Sequence, residues 1–116
     1  MTQYKVLIIE DDLNAAQSIS NFLSAWGFQC EYLKDFGQVT DKFIMYKPEI
    51  VLLDITLPHY NGYHWCEEIR KISKVPIIFI SSINDNLNMI LAMNMGGDDF
   101  VVKPFDLNFL LAKINS

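Results

Sequence analysis

Four short apolar runs, each followed at once by a polar residue, constrain the fold of this chain more than any other feature. The runs occupy residues 6–9, 50–53, 77–80 and 100–102, and the residues that follow them are Glu10, Asp54, Ser81 and Lys103. Runs that are apolar on both faces are typical of strands in the middle of a parallel sheet. Parallel strands need crossover connections, and the segments between the runs carry apolar residues at helical spacing. The alternation predicts an α/β fold with a doubly wound parallel sheet.

The same pattern divides the chain into five strand–helix units. Strands are predicted at residues 4–9, 29–32, 50–53, 76–80 and 99–102, and helices from the apolar positions of segments 12–25, 36–46, 65–72, 87–95 and 107–114. Gly27 and the pair at 96–97 end the first and fourth helices, and the Asn61–Gly62 pair predicts a loop. The chain of 116 residues forms one domain with room for an ordinary core. Because the fifth helix is short and uncapped, we expect residues 1–116 to be a piece of a longer chain that lacks the end of this helix.

Composition and charge exclude several classes of function. The formal net charge of −5 argues against nonspecific binding of nucleic acid, since phosphate backbones attract basic surfaces. No apolar run reaches the length of a membrane span, and the N-terminus lacks the regions of a signal peptide. Cys30 and Cys66 lie far apart and lack metal-ligand spacing. We therefore expect a cytoplasmic protein without membrane insertion, in which both thiols are free and buried.

The polar residues after the runs are expected to share one edge of the sheet, because the carboxyl ends of parallel strands lie side by side. Glu10, Asp11 and Asp54 would then crowd their carboxylates, which repel one another unless a cation is bound. A hard, oxygen-preferring ion such as Mg²⁺ answers that need, held by one or two carboxylates together with phosphate oxygens. The hydroxyl of Ser81 and the ammonium of Lys103 are expected at the same edge. The pattern indicates a site for phosphoryl chemistry.

Four segments carry a resemblance to a known family. They are IIEDD at residues 8–12, LDITLP at 53–58 with Gly62 after it, the serine pair at 81–82, and GGDDFVVKPF at 96–105. In this order and spacing they resemble the receiver domains of bacterial two-component response regulators, and the likeness covers essentially the whole chain. The endings LP at 57–58 and KPF at 103–105 look most like the OmpR/PhoB class. Within that class, NGYHWC at 61–66 is similar to regulators that respond to antimicrobial peptides in Gram-positive bacteria.

The resemblance implies a flavodoxin-like sheet of strand order 2-1-3-4-5 with five helices, and a phosphoacceptor role for Asp54. A sensor histidine kinase would supply the phosphoryl group, which a carboxylate can accept as an acyl phosphate. Mg²⁺ would be bound by Asp11 directly and by Glu10 through water. Asp54 and the backbone carbonyl of Thr56 would complete its protein ligands. Lys103 would contact Asp54 or the phosphoryl oxygens, and the family usually has a cis peptide before the proline that follows it.

The resemblance also implies a switch and a set of partners. Ser81 would move to hydrogen-bond the phosphoryl group, and Phe100 would turn inward behind it. The face formed by helix four, strand five and helix five would then form a homodimer, and DNA would be bound only by a C-terminal winged-helix domain absent from this chain. The protein would be a switch in transcription control rather than an enzyme, although it would assist its own phosphoryl transfer and dephosphorylation. Segment 84–95 departs from the family because Asp85 is its only charge, so a dimer would rely more on apolar contact.

Three other functions fit parts of the sequence. Asp54 and Thr56 after a strand resemble the site of haloacid-dehalogenase-type phosphatases, but those enzymes need a second acid where Thr56 stands, and their nucleophile follows the first strand. A flavodoxin-like FMN carrier shares the fold but needs a phosphate-binding loop after strand one, where residues 10–12 are acidic. A receiver that signals without phosphate is disfavoured because all five key positions are filled.

Several other residues have plainer interpretations. Asp12 is expected to be the N-cap of the first helix. His59 and His64 are expected to be surface or packing residues, because no carboxylate or cysteine stands at ligand spacing. The methionines of segment 89–95 either fill the core or offer apolar surface to a partner. Taken alone, Phe100 is better explained as a core aromatic than as a switch.

Overall fold

Five parallel strands alternate with five helices in the computed structural model, which describes residues 4–83 and 85–116. The elements in chain order are β1 (Lys5–Ile9), α1 (Leu13–Ala25), β2 (Gln29–Tyr32), α2 (Val39–Tyr46), β3 (Ile50–Asp54), α3 (Gly62–Arg70), β4 (Ile77–Ser81), α4 (Asn86–Asn94), β5 (Asp99–Val102) and α5 (Leu107–Ile114). The sheet order is β2-β1-β3-β4-β5, and every pairing is parallel. The predicted flavodoxin-like fold is therefore confirmed.

The sheet separates two apolar cores, since successive side chains of a strand point to opposite faces. In β1, Leu7 and Ile9 join the core covered by α2, α3 and α4, whereas Val6 and Ile8 join the core covered by α1 and α5. All four residues are fully buried. The central strands are apolar throughout because both of their faces are covered by helices.

Short polar side chains begin several of the helices. Asp12 caps α1, and its carboxylate accepts hydrogen bonds from the backbone N–H groups of Asn14 and Ala15, at 3.0 and 3.3 Å. The predicted N-cap is therefore confirmed. Asn61 caps α3 in the same way through the N–H of His64, at 3.0 Å. The loop predicted at the Asn61–Gly62 pair is therefore confirmed for Asn61, which lies just outside the helix, and wrong for Gly62, which is the first residue of α3. The amide of Asn61 allows this early start because it satisfies a free N–H of the first turn.

Burial differs from the apolar pattern of the sequence in α4. Leu87 and Ile90 belong to the predicted stripe but are 75% and 58% exposed, and Ala92 is the one buried residue among Asn86–Asn94. The helix is too apolar on all sides for its spacing to identify the covered face. Cys30 is only half-buried, so the expectation of two buried thiols is wrong for this residue, whereas Cys66 is buried.

None of the helices within residues 4–83 and 85–116 has the length and apolarity of a membrane span.

Candidate functional site

Three carboxylates meet at the carboxyl edge of the sheet. β1 pairs with β3, so the residues that follow or end these strands are neighbours in space although they are far apart in the chain. Glu10, Asp11 and Asp54 can each place one carboxylate oxygen within 4.8 Å of the others. Glu10 is 1% exposed and Asp54 is 5% exposed, whereas Asp11 is exposed to solvent. The predicted acidic cluster therefore forms, with one open side at Asp11.

The ammonium of Lys103 reaches into this cluster from the end of β5. Its Nζ atom lies 2.8 and 2.9 Å from the two carboxylate oxygens of Glu10 and 3.0 Å from Oδ2 of Asp54. The peptide bond between Lys103 and Pro104 is cis, as the resemblance implied. One positive charge thus faces two nearly buried acids, and the third acid, Asp11, is left for another cation or for solvent.

The pKa values of the cluster reflect this burial and crowding. Burial raises the pKa of Glu10 to about 8, and the neighbouring Asp54 adds to the rise, while Lys103 acts in the opposite direction. Burial lowers the pKa of Lys103, but its hydrogen bonds to Glu10 and Asp54 outweigh that effect and raise it above the usual value. Lys103 therefore remains an ammonium at neutral pH. Burial and the neighbouring Asp54 therefore favour the protonated form of Glu10, and a further cation bound at the cluster would favour its ionised form instead.

Backbone N–H groups just after β3 hold the carboxylate of Asp54, and the start of α3 packs against the backbone of the same segment. Oδ1 of Asp54 accepts a hydrogen bond from the N–H of Ile55 at 2.7 Å, and the N–H of Thr56 lies farther away, at 3.4 Å. The N–H of Gly62 donates to the carbonyl of Ile55 at 2.8 Å, which ties the first residue of α3 to the end of β3. A Cβ at position 62 would lie 2.9 Å from the carbonyl carbon of Asp54 and closer still to its oxygen. The sequence pattern placed Gly62 in a loop and missed this close approach.

Ser81 and Phe100 lie on neighbouring strands beside the cluster. Ser81 ends β4, is fully buried, and accepts a hydrogen bond at Oγ from the N–H of Ile83 at 3.1 Å. Its hydroxyl is thus engaged with its own loop rather than with Asp54. Phe100 is buried in β5, and its ring stacks on that of Phe79 with centroids 6.3 Å apart. The structure therefore brings Glu10, Asp11, Asp54 and Lys103 together, with Ser81 at the adjacent strand end.

The histidines and methionines lie outside the acidic cluster. His59 is exposed, and the ring of His64 stacks on Tyr60 with centroids 4.1 Å apart, so the interpretation as surface and packing residues is confirmed. Met89 and Met95 pack against the core. Met93 is exposed on α4, so both interpretations of the methionines hold for different members.

Residues 6–115 match the family model of the response regulator receiver domain. The chain belongs to this family. It is thus a receiver domain of a two-component response regulator, a class of phosphoacceptor that acts as a signalling switch. The resemblance inferred from the sequence motifs is confirmed.

Relatives refine this placement. The response regulator protein GraR of Staphylococcus aureus is 40% identical over 97% of this chain, and the match covers 50% of GraR. The chain thus spans about half the length of the curated relatives it matches. The N-terminal domain of the nisin resistance regulator NsrR, a lantibiotic response regulator, is 44% identical with a TM-score of 0.89, and 98% of this chain and 97% of that domain are covered. DrrB of Thermotoga maritima, an OmpR/PhoB homologue, is 26% identical with a TM-score of 0.85, over 98% of this chain and 52% of DrrB.

Proposed function

We propose that Asp54 is the phosphoacceptor and that a sensor histidine kinase is the donor. A carboxylate oxygen of Asp54 attacks the phosphorus of a phosphohistidine, the new P–O bond forms an acyl phosphate, and the P–N bond breaks. The departing imidazole keeps the electron pair of that bond and takes up a proton. The observation that carries the proposal is the contact of Asp54 with Lys103 inside the acidic cluster.

The surroundings of Asp54 suit such an acceptor. One oxygen is held by the backbone N–H of Ile55, and the other lies beside the ammonium of Lys103. Lys103 can therefore stabilise the charge of the phosphoryl oxygens without a large rearrangement, because its ammonium already lies beside the reacting carboxylate. Glu10 also accepts hydrogen bonds from this ammonium and thus positions it. In this proposal Asp54 accepts the phosphoryl group and Lys103 stabilises the charge on its oxygens.

Mg²⁺ fits the donor set of the site. The acids Glu10, Asp11 and Asp54 offer only hard oxygen ligands, and their oxygens lie close enough to share one ion. We propose that Asp11 and Asp54 bind it directly, that Glu10 does so through water, and that the backbone carbonyl of Thr56 contributes a further oxygen. When bound, the ion would neutralise charge on the phosphoryl oxygens.

Phosphorylation by a small donor tests the acceptor. The protein is incubated with Mg²⁺ and acetyl phosphate, and its intact mass is measured; we expect the addition of one phosphoryl group. Asp54→Asn keeps the shape of the side chain but removes the nucleophilic oxygen, so labelling should be lost. Asp12→Asn is the matched control, because Asn caps a helix as well as Asp does. If Asp54→Asn were labelled as fully as the wild-type protein, the assignment would be wrong.

We also propose that the phosphoryl group acts on Ser81, Phe100 and the face of α4, β5 and α5. Ser81 would exchange its present hydrogen bond with the N–H of Ile83 for one to the phosphoryl oxygens. Phe100 already lies inward in this structure, so its switching role requires that it leave this position in part of the unphosphorylated population. Ser81→Ala should leave labelling of Asp54 possible while reducing the response of that face.

The proposed output is a two-fold homodimer through α4, β5 and α5 in a longer cytoplasmic regulator with a C-terminal DNA-binding domain. Two acids of this face are already paired within the chain, Asp99 with Lys113 at 3.1 Å and Asp98 with Arg70 at 2.9 Å. The exposed side chain of Leu87 supports a contact that is more apolar than ionic. Sedimentation with and without beryllofluoride should show a dimer only in the loaded protein. A monomer at high micromolar concentration in a chain with α5 extended would refute the dimer and leave the phosphoacceptor proposal standing.

A further inference from the structure

A tyrosine hydroxyl joins α3 to α4 across the surface of the domain. The hydroxyl of Tyr63 lies 2.8 Å from Oδ1 and 3.2 Å from the backbone oxygen of Asn88. The amide nitrogen of Asn88 donates to both carboxylate oxygens of Asp85, each at 2.9 Å. A carboxylate only accepts, so the nitrogen must face Asp85 and the amide oxygen must face Tyr63. Tyr63 is therefore the donor, and the three residues form one directed chain of hydrogen bonds.

This chain of hydrogen bonds ends at the first turn of α4. Asp85 is the N-cap of α4, and its carboxylate also accepts from the N–H of Asn88 at 2.8 Å. Within Asn86–Asn94, all of it described by the structure, Ala92 alone is buried, so apolar packing holds this helix less firmly than it holds α1. A polar contact at the first turn should thus contribute an unusually large share of what fixes the position of α4.

Tyr63 itself lies next to the end of β3, the strand that carries Asp54. Tyr63 follows Gly62, whose N–H is bonded to Ile55 and whose Cα lies against the carbonyl of Asp54. The ring of Tyr63 also lies 5.8 Å from that of Phe79, which in turn stacks on Phe100. A small movement at the end of β3 would therefore reach the hydroxyl of Tyr63 through one rigid turn of α3.

We propose that Tyr63 is a positioning residue that couples the phosphoacceptor end of β3 to α4 through its hydrogen bond to Asn88. The coupling rests on the proposed function in one respect, namely that α4 belongs to the face that responds to phosphorylation. The hydroxyl transmits a displacement because it ties α3 to the first turn of a helix that has one buried residue, Ala92, within Asn86–Asn94. Without the hydroxyl, the first turn of α4 opens more often and follows the state of Asp54 less closely.

Hydrogen–deuterium exchange of Tyr63→Phe tests the contact directly. The substitution removes one oxygen and keeps the ring against Phe79. We expect the amides at the first turn of α4 to exchange roughly three- to tenfold faster, which is the range expected when one net hydrogen bond is lost. Tyr60→Phe is the matched control, because Tyr60 is 55% exposed and its hydroxyl makes no hydrogen bond within residues 4–83 and 85–116. Exchange in Tyr60→Phe should equal that of the wild-type protein.

Two further comparisons separate coupling from plain loss of stability. In an Asn88→Ala background, Tyr63→Phe should raise the exchange rate of α4 by less than it does in the wild-type background. The side-chain acceptor is then absent, and only the longer contact with the backbone oxygen at position 88, at 3.2 Å, remains. Beryllofluoride should change exchange in α4 of the wild-type protein, and this change should be smaller in Tyr63→Phe although Asp54 is still labelled by acetyl phosphate.

Each outcome bears on one claim. Unchanged exchange in α4 of unmodified Tyr63→Phe, or an equal rise throughout the domain, would overturn the role of Tyr63. An identical response of α4 to beryllofluoride in wild type and Tyr63→Phe would overturn the coupling. Failure of wild type to take up a phosphoryl group at Asp54 would instead count against the proposed function, and the unmodified proteins would still decide whether Tyr63 holds α4.

Discussion

Replacing Gly62 by alanine should damage the candidate site more than the same change at any other glycine, because only this Cβ would meet the backbone of Asp54. The new Cβ would lie 2.9 Å from the carbonyl carbon of Asp54 and from Cα of Ile55, and closer still to the carbonyl oxygen of Asp54. Real Cβ atoms essentially never approach other atoms within 3.0 Å. All of these neighbours are backbone atoms, at the end of the buried strand β3 and at the next residue, so no side chain can rotate away to relieve the overlap.

The free-energy cost follows from what must move. Overpacking a buried contact costs about 1–3 kcal/mol, and separating α3 from β3 also weakens the hydrogen bond from Gly62 to Ile55, worth about 1 kcal/mol. The better helix propensity of alanine returns less than about 1 kcal/mol, because position 62 is the first residue of the helix. We expect the free energy of unfolding to fall by roughly 2–3 kcal/mol. A domain with about 5–15 kcal/mol of stability would still fold.

Urea denaturation and phosphorylation kinetics measure the two consequences. The denaturation midpoint of Gly62→Ala should fall with an unchanged slope, and labelling of Asp54 by acetyl phosphate should slow by roughly tenfold or more, since small displacements of a reacting group are costly. Gly37→Ala is the control: its Cβ would meet only a side-chain oxygen of Asp35, at 3.3 Å, and it should change stability by less than about 0.5 kcal/mol. Wild-type stability in Gly62→Ala would refute the argument that this backbone contact is rigid.

Three further predictions concern metal binding, packing and thiol reactivity. Asp11→Ala should weaken Mg²⁺ binding by roughly tenfold or more, whereas Asp12→Ala should lose only a helix cap; equal titration curves would reject the choice of ligand. Arg70→Lys should lower the free energy of unfolding by roughly 1–3 kcal/mol. The guanidinium of Arg70 donates to the carbonyls of Gly96 and Val75 and to the carboxylate of Asp98, at 2.9, 2.6 and 2.9 Å, and an ammonium cannot make all three contacts. An unchanged urea midpoint would contradict this prediction. Burial raises the pKa of Cys66 to about 11, so the folded protein contains less Cys66 thiolate at pH about 8 than the unfolded protein does. Iodoacetamide at this pH should therefore label Cys66 far more slowly in the native protein than in urea. Equal rates would show that the thiol is accessible.

The order and type of the elements could be predicted from the sequence, because they depend on patterns within a few residues. β1 and β3 are apolar on both faces, which is a property of their own residues. The start of α1 could be predicted for the same reason, because Asp12 stands directly before an apolar repeat and was therefore identified as a helix cap. The acidic edge also followed, since parallel strands must end on one side of a sheet.

The sequence pattern failed where the answer depended on packing. In α4, apolar side chains occur on several sides, and only contact with the sheet leaves Leu87 and Ile90 exposed while it buries Ala92. Gly62 carries no local sign that its Cα lies against Asp54, because that approach is set by how α3 docks on β3. A short-range pattern cannot encode a distance between two elements that the rest of the fold holds in place.

The sequence by itself thus determined a five-stranded α/β domain and the residue types at its carboxyl edge. Only the tertiary structure decided which partners these residues take. Lys103 bonds to Glu10 and Asp54, which are 93 and 49 positions away, and Tyr63 bonds to Asn88 across two helices. Whether a segment forms a strand depends on the burial of its own apolar residues, and this burial is little changed when the segment shifts slightly relative to its neighbours. A hydrogen bond near 3 Å requires the register of the sheet and the docking of the helices to be fixed together.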